Sequence, residues 1–254
     1  MNGNQGKKIA GAVITVLGIL AVIFTRSAGI AEGATTGQKV IYSLSLILTM
    51  AGLLILMSSA GAGGGHTDTK QLTMAAMMTA LCYIGFAFFK IDIPVPGSAE
   101  KTAFHLGNTF CVLAALILGG YWGGISGALG MTIGDLFGGY VTSAPKTFFL
   151  KLCIGLITGF VAHKVLKLEE ETKRPKIVWK TAVSCGAGML FNVIADPIVG
   201  YFYKRYLFGL QQDLAKALAK IAAVTTLVNA IVAVIAATIF YAALRPALKR
   251  IMNP

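Results

Sequence analysis

Residues His105–Lys151 read HLGNTFCVLAALILGGYWGGISGALGMTIGDLFGGYVTSAPKTFFLK, and this stretch decides the fold. Two apolar runs, Phe104–Gly119 and Gly123–Tyr140, meet at a glycine-rich junction, and a third, Thr147–Val161, starts just after Ala144-Pro145. Each approaches the roughly 20 apolar residues that cross a hydrocarbon core. Asn108, Asp135 and Lys151 stand inside this apolar sequence. A charge at the centre of a membrane helix costs about 2.5–3.5 kcal/mol on insertion scales, so residues of this kind mark a structural or functional need.

Outward from this stretch, further apolar segments run Ile9–Phe24, Val40–Met57, Leu72–Phe89, Val178–Val199 and Ile221–Leu244. With 56% hydrophobic and 13% charged residues and a mean hydropathy of +0.75, the chain is too apolar for a soluble globular domain. The net charge of +12 does not point to nucleic acid, because the basic residues lie scattered along loops and segment ends. Cys82, Cys111, Cys153 and Cys185 sit singly in apolar sequence and read as packing residues, with no metal-ligand spacing. Lys7 and Lys8 before a short apolar run allow a signal peptide, but a retained helix is the preferred reading, since its removal would leave Val40–Met57 without an obvious purpose.

The fold expected is an all-α, multi-pass membrane protein. The run Gly61-Ala62-Gly63-Gly64-Gly65 separates a two-helix extension with its linker, residues 1–66, from a six-helix core, residues 67–254. Basic residues of the connection 163–180 and of both termini, together with Trp122 and Trp179, place those regions on the cytoplasmic side. Lys90, Lys101, Lys204, Arg205, Lys216 and Lys220 fall on the other side, so the charge bias is incomplete.

Threaded this way, Asn108, Asp135, Lys151, Asn192 and Asn229 all reach the outer half of the membrane. At 1.5 Å per residue, Asn108, Lys151 and Asn229 lie ~6, ~9 and ~12 Å below the outer face, while Asp135 and Asn192 have climbed ~18 and ~21 Å from the inner one. Asp196 lies higher still. These are the candidate substrate-binding residues. Asp135 and Lys151 equally fit a structural ion pair, and the three asparagines fit interhelical hydrogen bonding. Aromatics on the same side, among them Phe86, Phe104, Tyr140, Phe148 and Tyr201, suit a flat polar heterocycle as well as an interfacial belt. Either outer connection, Lys90–Ala103 with Pro94, Pro96 and Gly97 or the long Tyr201–Lys220, has the makings of a lid, and Leu210, Leu214, Ala217, Leu218 and Ile221 are spaced like an interfacial helix face.

Small residues recur at helical spacing. Gly123/Gly127, Gly130/Gly134 and Gly134/Gly138 permit close helix approach, with packing inside the bundle the favoured use. Ala76 and Ala80 fit either bundle packing or the docking of another membrane protein.

Taken together, Ala76-x-x-x-Ala80, the proline-bearing outer loop, His105-Leu106-Gly107-Asn108, Gly134-Asp135-Leu136 and Ala144-Pro145-Lys146-Thr147-Phe148 leading to Lys151 resemble the substrate-binding S components of energy-coupling factor (ECF) vitamin transporters. The likeness runs from Thr69 to Pro254 and is nearest the riboflavin-transporter-like group. It implies a six-helix bundle in a prokaryotic cell membrane that captures a vitamin or precursor from outside. It further implies assembly with a transmembrane T subunit, contacted through Ala76 and Ala80, and with two cytoplasmic ATPases. The two N-terminal helices depart from the usual pattern.

The chain carries no G-x-x-x-x-G-K-[ST] phosphate loop, so energy would come from partners. His66, His105 and His163 lie in separate regions, and no catalytic arrangement, metal site or cofactor is expected. The competing classes are a self-sufficient secondary transporter, which favours midplane sites between repeats, and a membrane scaffold.

Overall fold

The computed structural model describes residues 69–95 and 101–252, together with 9–18, 20, 21, 45 and 52. The expected N-terminal helix pair and glycine linker lie largely outside these residues, although Ile9–Gly18 is an apolar helix. The chain divides into two compact units, one of Asp68–Tyr201 with Lys216–Pro254, the other of Met1–Thr67 with Phe202–Ala215. All five candidate substrate residues belong to the first.

Along the chain the described elements are α1 (Thr69–Ala87), β1 (Lys90–Pro94), β2 (Lys101–His105), α2 (Gly107–Gly138), α3 (Ala144–Gly159), α4 (Arg174–Phe202) and α5 (Gln212–Met252). A π-helical turn, Phe160–Val165, extends α3, and a short 3-10 turn, Leu168–Glu170, leads towards α4. Among the described residues, four helical stretches are long and apolar enough to cross a membrane: Gly107–Gly138, Ala144–Val165, Arg174–Tyr206 and Gln212–Lys249.

Gly119 makes α2 two helices rather than one. Its φ of 80° and ψ of 170° are open to glycine and strained for other residues, and the chain reverses there. The second arm packs back on the first: a side chain on Gly123 would strike Ala115, and one on Gly127 would strike Cys111. Then α3 lies against the second arm so closely that a Cβ on Gly155 would overlap Gly124. Such approach supplies the van der Waals contact that holds helices together where lipid is as apolar as protein. The glycines therefore pack the bundle internally, and six helical arms follow one another through residues 69–249.

Val112, Leu116, Ile154, Cys185, Met189 and Ala233 form the buried centre. On α5, Leu227, Ile231, Ile235 and Ile239 recur every four residues and are about half exposed or more, an apolar stripe suited to lipid. Cys82, Cys111 and Cys185 are buried and unbridged.

The sequence reading placed a loop at Lys90–Ala103; the structure has an antiparallel hairpin there, with Lys90 opposite His105 and Pro94 opposite Lys101. Among the described residues it is the one sheet. The next helix accordingly begins at Gly107, not Phe104. The expected long connection Tyr201–Lys220 is mostly helical, with a π-helical turn at Tyr203–Leu207 and α5 starting at Gln212. Most of the proposed interfacial face thus lies in the first turns of α5.

The hairpin, the turn after α2 and the start of α3 share one end of the bundle. The opposite end holds Gly119, the extension of α3 and the Leu168–Glu170 turn.

Candidate functional site

The hairpin end is where the five candidate residues lie, and all are buried. Asn108 opens α2 and is 1% exposed, yet its Oδ1 has no hydrogen-bond partner among the described residues. Asp135 sits four residues before Gly139, whose left-handed φ of 83° ends the helix. Its backbone carbonyl accepts from Gly139 and from Tyr140, while its side chain faces the Thr147 hydroxyl and keeps Oδ2 unpartnered. On α4, Asn192 is 1% exposed and its Oδ1 is likewise unpartnered.

Lys151 follows Thr147 by one turn of α3. It is buried, and among the described residues its ammonium makes neither a hydrogen bond nor a salt bridge. Its charge acts on Asp135, Asp196 and His105 from a distance. The ion pair considered for Asp135 and Lys151 does not form; the carboxylate and ammonium that join here are Asp196 and Lys146, at 2.5 Å. Thr226 Oγ1 donates to the other Asp196 oxygen at 2.8 Å, so α3, α4 and α5 meet at Asp196.

Asn229 plays a different part. Its Oδ1 accepts the His105 N–H at 3.0 Å, and its Nδ2 donates to the Ala103 carbonyl at 3.0 Å. Both ends of the amide are spent on β2, so Asn229 fastens the hairpin to α5. His105 closes β2, and its Nδ1 is buried without a partner. Burial, with the positive charge of Lys151 next in size, pushes the imidazole down to about 3, so the ring is neutral at ordinary pH. Phe86 meets it edge to face with ring centroids 4.9 Å apart.

A second clamp holds the hairpin from its solvent side. Asp92 accepts from Lys101 Nζ at 2.7 Å and from the Tyr140 hydroxyl at 2.7 Å, with Lys90 Nζ at 3.4 Å. Lys101 and Lys90 also lie over the Tyr140 ring at 4.7 and 5.1 Å. Partial burial alone would raise the Asp92 pKa, but these bonds and charges outweigh it and hold it below the usual carboxylate range.

His105, Lys146 and Thr226 belong to the same constellation and were not among the candidates. The signal was present as spacing: Asn192 and Asp196 are one turn apart on α4, as are Thr226 and Asn229 on α5. At the far half of α1, Ala76 and Ala80 are both exposed, in line with exposed Leu72 and Ile84, while Ala75, Cys82 and Phe86 are buried.

An unsatisfied buried polar atom costs about 1–3 kcal/mol. His105 Nδ1, Asn108 Oδ1, Asp135 Oδ2 and Asn192 Oδ1 all bear that cost at one end of the bundle, beside an unpaired lysine. The class this defines is a multi-pass helical membrane protein with unsatisfied polar groups buried at one end. Within that class the chain belongs to a known family, since residues 66–246 match the family model described as ECF-type riboflavin transporter, S component. That is a transporter family, not an enzyme family. Searches among curated proteins and among solved structures found no match in either.

Proposed function

We propose that this chain is the substrate-capture subunit of an ATP-driven ECF importer, binding a vitamin or small heterocyclic precursor at the hairpin end, which faces outward. The observation that carries the reading is the set of unpartnered buried atoms on α2, α4 and β2 at the end of the bundle that also holds the unpaired Lys151. Buried polar atoms are nearly always satisfied, so a guest that supplies partners is their simplest explanation. The carbonyl and carboxylate oxygens call for N–H or O–H donors, and Lys151 calls for a carbonyl or an anion. A heterocycle with ring N–H groups beside carbonyls meets both demands, with Phe86 and Tyr140 next to it. Riboflavin, named in the family's description, is such a molecule.

The hairpin serves as the lid, held by Asn229 within and by Asp92 outside. Energy comes from a T subunit and two cytoplasmic ATPases, reached through the exposed Ala76/Ala80 face of α1, where small side chains let another helix approach. Reconstituted alone in liposomes, the protein should bind riboflavin or a related heterocycle saturably without accumulating it. ATP-independent accumulation would instead make it a self-sufficient transporter, and no saturable binding across the vitamin heterocycles would leave only a scaffold.

A further inference from the structure

The end of the bundle opposite the hairpin holds a cavity of about 130 Å³, lined by Leu116, Ile117, Glu169, Tyr241, Arg245, Leu248 and Lys249. Its dominant feature is a buried guanidinium. Arg245 is 6% exposed, and its Nη2 donates to three carbonyls, those of Leu168 at 2.8 Å, Glu169 at 3.1 Å and Glu171 at 2.5 Å. Those bonds hold the connection between α3 and α4, which enters its 3-10 turn through Lys167 at a φ of 46°. The other terminal nitrogen, Nη1, is buried and has no partner.

No carboxylate is paired with this guanidinium, although Glu169 belongs to the cavity's lining. Among the described residues Arg245 forms no salt bridge. The Glu169 carboxylate turns to His163 Nδ1 at 2.9 Å, and the Glu171 carboxylate turns to Lys180 Nζ at 3.0 Å. Lys249 adds a second cation at the cavity's rim, and Tyr241 supplies an aromatic wall with its ring centroid 6.0 Å from the guanidinium. A permanently charged group buried with a free donor and no anion is a strongly unfavourable arrangement unless an anion arrives.

We infer that this cavity is a phosphate site, filled by the headgroup of an anionic phospholipid or by free phosphate. Arginine's planar fork is matched to phosphate oxygens, and Nη1 presents its unused protons to one. Basic pockets between membrane helices bind anionic headgroups in this way. The surroundings favour the lipid: the 163–180 connection carries Lys164, Lys167, Lys173, Arg174, Lys176 and Lys180, and exposed Phe240 and Leu244 border the cavity-lining face of α5, where acyl chains would run. The inference stands apart from the vitamin site, which is at the other end.

The test is native mass spectrometry of the purified full chain titrated with dioleoylphosphatidylglycerol, dioleoylphosphatidylcholine or inorganic phosphate. Phosphatidylglycerol should bind more tightly than phosphatidylcholine. Lys249→Gln, at an exposed position that folding does not need, should weaken it roughly fivefold, the factor expected for one basic group near a membrane surface. Leu248→Trp should block the cavity and remove the preference for the anionic lipid. Because Arg245 also holds a turn, Arg245→Lys is read only in protein that keeps its wild-type unfolding temperature. Equal binding of inorganic phosphate, lost in the same variants, would identify free phosphate as the occupant. Equal affinity for the two lipids with no phosphate binding, or an anionic preference untouched by Lys249→Gln and Leu248→Trp together, would overturn the inference.

Discussion

The two ends of this bundle differ in how many of their buried polar groups are satisfied. At the end holding Gly119, most polar side chains close loops: Arg245 clips three carbonyls through Nη2 and keeps only Nη1 unpartnered, Lys180 pairs with Glu171, and His163 spans Glu169 and the Ala115 carbonyl, its Nε2 lying 3.2 Å from that oxygen. At the hairpin end, helices that could have satisfied one another leave Asn108, Asp135, Asn192 and Lys151 open. Satisfied networks fix a fold, whereas unpaired buried groups carry a cost that a bound guest would relieve. Within the hairpin end itself the same contrast separates Asn229, Lys146, Thr226 and Asp196, which bond to neighbouring elements, from Asn108, Asp135 and Asn192, which keep unpartnered atoms.

The strongest way to break this comparison is at Asp135 and Lys151. Asp135→Asn and Lys151→Met each remove a charged partner, worth about 1.5–3 kcal/mol in a hydrogen bond, so affinity should fall roughly ten- to a hundredfold. Folded yield should hold, because neither group supports the fold through an ion pair. Equilibrium binding with size-exclusion profiles of the same preparations decides it, and parallel loss of both would return these residues to the scaffold.

Nearly as large an effect is expected at α1. Ala76→Trp combined with Ala80→Trp should abolish co-purification of a T subunit and vitamin uptake, while binding by the isolated chain stays intact, because the bulk is added to an exposed face. Unchanged co-purification would move the docking surface elsewhere.

Asn229→Leu sharpens the comparison from the wall's side. Losing two hydrogen bonds to β2 should lower stability by about 1–2 kcal/mol and release the hairpin, seen as faster hydrogen exchange in residues 101–105. The smallest effect belongs to the outer clamp. Because the folded state depresses the Asp92 pKa, its contribution is complete above the usual carboxylate range and is lost as pH falls through the lowered value. Hairpin protection factors, which correct for the slowing of intrinsic exchange in acid, should therefore fall on acidification, less so in Asp92→Asn, and solvent screening keeps the change modest because Asp92 is about a third exposed.

Much of this was legible in sequence because lipid punishes polarity so heavily. Apolar length marked the membrane segments, and Asn108, Asp135, Lys151, Asn192 and Asn229 stood out against them. The hairpin was not legible: its strands are five residues each, and Pro94 read as a loop signal although it ends β1, where no further ladder bond is needed. Nor could spacing show which polar groups are satisfied. Asn229 bonds to backbone more than a hundred residues away, and Lys146 takes Asp196 where the sequence offered Asp135 to Lys151.

The central claim is that the open polar atoms exist for a ligand and not for the fold, and Asn192→Leu tests it most directly. Removing an unsatisfied buried amide in favour of a side chain of similar size relieves a cost in the empty protein. Measured on one preparation, the ligand-free unfolding temperature should stay level or rise, while affinity for riboflavin or the related heterocycle that the protein binds falls about tenfold or more. A lowered unfolding temperature with undiminished affinity would contradict the account.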